Sequence, residues 1–110
     1  MKWIAWYCFA AFMVATFILS TTPSQAQDVK PLYQAKCAMC HGADGKGDTA
    51  IGKKTGVHDF ASGEVQKQSD AELQQVTKKG KNKMPAYDGK LKDSEIKELV
   101  SYIRQLGKKQ

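Results

Sequence analysis

The chain has 110 residues, with 17 basic against 11 acidic side chains, a formal net charge of +6 and three cysteines. That length leaves room for one small domain with a modest core. The lysines are dispersed and interleaved with acids, which argues against a nucleic-acid-binding stripe, and so few thiols exclude a disulfide framework.

Residues 1–26 have the anatomy of an export signal. Lys2 supplies a positive start, Trp3 to Leu19 is an apolar run broken only by Thr16, and Ser24-Gln25-Ala26 places small residues where a signal peptidase reads. Cleavage is expected after Ala26, leaving residues 27–110 as one domain with 16 basic and 11 acidic residues. Cys8 would be lost with the leader, since bulky Trp6 and Tyr7 precede it and no lipoprotein cysteine sits in that setting. An uncleaved membrane anchor is the competing reading, because the apolar run reaches the low end of a spanning helix.

Asp28 to Cys40 reads as a first helix, with Pro31 tolerated in its first turn and Val29, Leu32, Tyr33 and Lys36 at helical spacing. Its end delivers Cys37-Ala38-Met39-Cys40-His41, and C-x-x-C-H is the attachment signature of c-type haem. Two thiols at that spacing can add to the two vinyl groups of one porphyrin. The imidazole that follows then lies under the ring, where it can ligate iron as the proximal base. A thioredoxin-like pair would need a strand-helix-strand setting, and a zinc site would need more ligands than His58 offers.

Gly42 to Asp48 is too rich in glycine for a regular element, as expected of backbone that wraps closely around a flat cofactor. Ser69 and Glu72 form a capping box that opens a second helix, Leu73 and Val76 face inward, and Gly80 ends it. Asp93 is expected to cap a last helix in which Ile96, Leu99, Val100, Ile103 and Leu106 follow the helical repeat, with Gly107 closing it. No run alternates long enough for a strand, so the domain reads as all-α with about three main helices and long connections. Its core is too small to stand alone. A covalent haem would complete it, packed by Ile51, Val57, Phe60, Leu73, Tyr87 and Leu91.

Met84, fixed beside Pro85 in the loop before the last helix, is the candidate distal ligand, and a Met/His pair raises the reduction potential relative to bis-His. Met39 is excluded on steric grounds by its place inside the attachment loop. His58 remains an alternative that would give a low-potential bis-His centre. Lys81 or Lys83 could replace Met84 only at alkaline pH.

Taken together, the Cys-Ala-Met-Cys-His-Gly-Ala-Asp-Gly-Lys-Gly run, the Lys-Met-Pro-Ala-Tyr loop and the final apolar helix resemble the class I c-type cytochromes. Within them the chain is similar to compact bacterial carriers related to the haem domains of terminal oxidases. The resemblance covers Asp28 to Leu106. It implies the class I cytochrome c fold, with first and last helices crossing around one haem c, its iron held by His41 and Met84 and its vinyl carbons by Cys37 and Cys40. It also implies that Tyr33 packs on Leu99 and Tyr102. One departure is that many relatives have a proline whose carbonyl orients the histidine, whereas this chain has none between His41 and Pro85.

The expected function is single-electron transfer by a soluble, monomeric periplasmic carrier, with no small-molecule substrate and no catalytic residues. Lys78, Lys79, Lys81 and Lys83 crowd the approach to Met84, and such a basic face suits an acidic redox protein or a membrane-bound oxidase or reductase. The same lysines would also suit a solvated helix end. The competing readings are a membrane-anchored haem subunit of a respiratory complex and, more remotely, a haem peroxidase with an open iron.

Overall fold

The computed structural model describes residues 28–109, so the leader expected over residues 1–26 lies outside them. Regular structure among the described residues is helical, in the order α1 (Lys30–Lys36), α2 (Ala38–His41), α3 (Ala50–Thr55), α4 (Gly63–Gln66), α5 (Asp70–Lys79) and α6 (Asp93–Lys108).

Pro31 lies at the start of α1, where its missing N–H costs no helical bond. The single first helix expected from the sequence is broken at Cys37. The Cys40 and His41 N–H groups both donate to the Cys37 carbonyl, at 3.2 and 3.0 Å, which tightens the turn and separates α2 from α1. Thr49 then ties the next element to this segment. Its hydroxyl donates to the Cys40 carbonyl at 2.9 Å and accepts from the Gly52 N–H at 2.8 Å, capping α3. A side chain at position 52 would stand 2.3 Å from the Cys40 carbonyl oxygen, so only glycine lets α3 approach so closely. The intervening glycine-rich stretch is folded back on the molecule: Gly47 N–H donates to His41 O at 2.8 Å, and Phe60 N–H to Gly45 O at 3.0 Å.

The capping box at Ser69 is present as expected, with Glu72 N–H on the Ser69 hydroxyl at 3.1 Å and the Glu72 carboxylate on Ser69 N–H at 2.6 Å. The start of α6 differs by one residue. Lys92 is the N-cap, its N–H answered by the Glu95 carboxylate at 2.9 Å, and Asp93 is the first helical residue, engaged instead with Lys78 at 3.0 Å. The end of α6 differs too, because the helix runs through Gly107 to Lys108. Gly107 serves packing there: a Cβ at that position would meet the Phe60 carbonyl at 2.9 Å.

The core centres on Tyr33, fully buried, with Leu99 and Val100 of α6 each 1% exposed. The Tyr33 ring meets Tyr102 edge-on with centroids 5.1 Å apart and Phe60 at 6.4 Å, and its hydroxyl donates to Gly42 O at 2.6 Å. First and last helices are joined through these side chains, as the resemblance implied. Helix α5 packs on α6, where Arg104 bonds Asp70 at 2.9 Å and also the carbonyls of Val65 and Gln68.

Candidate haem site

The break at Cys37 sets one side of the site. It turns α2 so that Cys37, Cys40 and His41 all line one cavity of about 450 Å³, within the range of small-molecule and cofactor pockets. Val57, Phe60, Val65, Leu73, Val76 and Ile103 supply apolar wall, and Met84, Pro85 and Tyr87 enter from the loop between α5 and α6. Residues far apart in sequence thus converge on one space. Of the six side chains expected to pack on a cofactor, Val57, Phe60, Leu73 and Tyr87 line it. Leu91 packs instead against the cluster around Tyr33, and Ile51 is 41% exposed on the short helix α3.

Cys37 and Cys40 are not joined to each other in a disulfide. Burial, with Cys40 nearby, pushes the Cys37 thiol up to about 11, so it stays protonated at neutral pH. Burial also lowers the pKa of His41, which favours the neutral imidazole that ligation requires. The His41 ring stacks on Phe60 with centroids 4.8 Å apart and planes 24° from parallel. Its Nδ1 is buried without a hydrogen-bond partner among the described residues. The sequence offered no acceptor for this nitrogen, and the ring is held by its face against an aromatic side chain.

Met84 closes a tight turn. Met84 N–H donates to Lys81 O at 2.9 Å, Lys81 N–H to Met84 O at 3.2 Å, and Asn82 at the tip takes φ +53°. Beneath it, Gly80 at φ +76° would bring a Cβ to 2.7 Å from the Met84 carbonyl, so the loop backbone rests directly on glycine. Met84 is half-buried, whereas Met39 on α2 is 70% exposed at the rim. His58 also reaches the cavity lining, as an exposed residue.

An apolar-walled cavity bordered by two thiols, a neutral imidazole and a thioether has the donor set that covalent haem demands. The basic approach is narrower than the sequence suggested. Lys78 pairs with Asp93 at 3.0 Å and Lys79 with Asp88 at 2.9 Å, leaving Lys81 and Lys83, joined by Lys36, as exposed cations on the rim. Sequence reasoning missed Lys36, the stacking of Phe60 on His41 and the link from Thr49 to Cys40. A Thr before a short helical run was a readable cap; nothing local marked the others.

A family model described as "Cytochrome C oxidase, cbb3-type, subunit III" matches residues 24–103. The chain is 33% identical over 101 residues to the Cbb3-type cytochrome c oxidase subunit CcoP of Azospirillum brasilense, covering 86% of this chain and 34% of that protein. It is 31% identical over 86 residues to cytochrome c6 of a Synechococcus species, covering 76% of this chain and 74% of the relative. The chain therefore spans about a third of the length of the oxidase subunits it matches. Among solved structures, the KustC0563 c-type cytochrome superposes with a TM-score of 0.66 at 34% identity, over 72% of this chain and 96% of that one. With its one attachment motif and helical fold, the chain belongs to the family of the cbb3-type oxidase subunit III, as a c-type cytochrome domain that carries one covalent haem c with its iron.

Proposed function

We propose that this chain is an exported, soluble carrier that shuttles single electrons between respiratory redox partners in the periplasm. Cys37 and Cys40 would hold the haem through thioethers, and His41 and Met84 would ligate its iron. The observation that carries this reading is the single cavity whose lining unites the attachment motif with Met84. When bound, the haem supplies a one-electron ferrous–ferric couple. The residues around it do the rest. His41 is kept neutral by burial, and Phe60 fixes its plane. Met84 offers a soft thioether that favours ferrous iron and so a high potential. His58 also lines the cavity but is exposed, whereas Met84 is half-buried in a loop whose backbone rests on Gly80, which favours Met84 as the second ligand. Ligation by both His41 and Met84 would leave no coordination position for peroxide.

Exposed Lys36, Lys81 and Lys83 and the exposed Met39 border the same cavity, so a bound haem would exchange electrons with a partner docked at a basic rim. That arrangement suits an acidic redox protein or the acidic docking face of a membrane-bound oxidase or reductase. The length of the CcoP relatives supports a second reading, a haem subunit retained at the membrane by its N-terminus. Among the described residues no helix is long and apolar enough to cross a membrane, so that reading rests on residues 1–26.

Intact mass of the protein purified from the periplasm tests both. The expected mass is that of residues 27–110 plus one haem. A full-length mass in the membrane fraction would favour the anchored subunit, and a haem-free mass would overturn covalent attachment.

A further inference from the structure

The helix break at Cys37 leaves a backbone acceptor to be answered. In an uninterrupted helix the Lys36 carbonyl would take the Cys40 N–H, but here that N–H goes to Cys37 O at 3.2 Å. The Lys36 carbonyl receives instead the phenolic hydroxyl of Tyr87, at 2.9 Å, from 51 residues along the chain. Tyr87 lines the haem cavity and follows Met84 closely in the same loop.

The backbone around Tyr87 is fixed independently of that hydroxyl. Tyr87 N–H donates to Thr77 O at 3.2 Å and Asp88 N–H to Lys78 O at 3.0 Å, while the Tyr87 carbonyl accepts from Lys90 and Leu91, each at 3.0 Å. On its other flank the loop rests on Gly80. The Met84 loop is thus anchored to α5 at its base, and the Tyr87 hydroxyl fastens it, at the exposed edge of the cavity, to the residue preceding Cys37.

We propose that the Tyr87 hydroxyl is a clasp, a positioning group that holds the Met84 loop closed against the attachment segment and sets how often Met84 leaves the iron. This rests on the reading of Met84 as distal ligand. A carrier whose sixth ligand stays in place keeps small ligands off the metal and rearranges little between oxidation states. Because the clasp ends beside Cys37, the geometry that presents the thiol also supplies the acceptor that closes the loop. A neutral hydrogen bond of this kind shifts an open–closed equilibrium by about 2- to 10-fold.

Tyr87→Phe removes the hydroxyl and keeps the ring. In the ferric holoprotein, the rate of cyanide binding at saturating cyanide, limited by departure of Met84, should rise about 3- to 10-fold. The sulfur-to-iron absorption band at neutral pH should persist. Asp70→Ala is the comparison, because it removes the α5 partner of Arg104 outside the cavity lining and leaves Arg104 its bonds to Val65 and Gln68; it should lower the denaturation midpoint and leave the cyanide rate unchanged. A cyanide rate unmoved by Tyr87→Phe, or raised equally by Asp70→Ala, would overturn the clasp while leaving the ligand assignment intact. A wild type without the sulfur-to-iron band would instead overturn Met84 as ligand, and the clasp's role with it.

Discussion

Tyr33 is the side chain on which the joining of the first and last helices depends, and it can be taken apart in two steps. Its ring is fully buried and meets Tyr102 and Phe60 edge-on, while its hydroxyl donates to Gly42 O at 2.6 Å. Tyr33→Phe keeps the ring and strands the Gly42 carbonyl, which should cost about 1–3 kcal/mol. Tyr33→Ala also removes the ring and leaves a cavity, a further loss of about 3–5 kcal/mol. For a domain of this size, whose whole stability is of order 4–12 kcal/mol, the second loss is a large share. Guanidinium denaturation of each holoprotein, followed by far-ultraviolet circular dichroism, reads the difference directly. The midpoints should fall in the order wild type, Phe, Ala, with an unchanged slope. Tyr102→Ala should cost less than Tyr33→Ala, because Tyr102 is only half-buried. Equal midpoints for wild type and both Tyr33 variants would mean that the helices are held together elsewhere.

Acidified acetone should leave the haem colour with the polypeptide, and colour passing into the organic phase would contradict thioethers at Cys37 and Cys40. Replacing both cysteines with Ala should abolish the cooperative thermal transition, because the core left around Tyr33 is too small to offset chain entropy; a sharp transition with native helicity would show that the protein chain suffices. Electron transfer to an acidic partner should slow as ionic strength rises, since exposed charges are screened beyond roughly 8 Å at physiological salt. Lys81→Gln and Lys83→Gln should slow it further at low salt than Lys79→Gln, whose ammonium is already paired with Asp88. Equal effects from all three would place docking under total charge rather than the cavity rim.

Features that depend on adjacent residues were legible in the sequence. The attachment motif needs only the spacing of Cys37, Cys40 and His41, and the capping box needs only Ser69 and Glu72. The apolar repeat of α6 was likewise plain from Ile96 to Leu106, though its start differs by one residue, where Asp93 pairs with Lys78, and its end runs past Gly107, which packs on Phe60. Other features required the chain to fold back on itself. The pairing of Lys79 with Asp88 removes a cation that looked available in one dimension. Ile51 looked like a cofactor contact, but α3 is placed by Thr49 and Gly52 against Cys40, and that orientation turns Ile51 outward. The break at Cys37 could not be read from helix propensity, because it arises from competition for one carbonyl. The bond from Tyr87 to Lys36 spans 51 residues and has no local signature.

The central claim is that Met84 completes the coordination that His41 begins, and the visible spectrum of the ferric protein tests it most directly. At neutral pH the wild type should show the weak sulfur-to-iron band at the red edge of the spectrum. Met84→His should abolish the band, keep the iron low-spin and lower the reduction potential, because imidazole favours ferric iron where a thioether favours ferrous. A wild type lacking the band, with a spectrum that changes on His58→Ala and not on Met84→His, would make the protein a low-potential bis-His carrier and contradict the account.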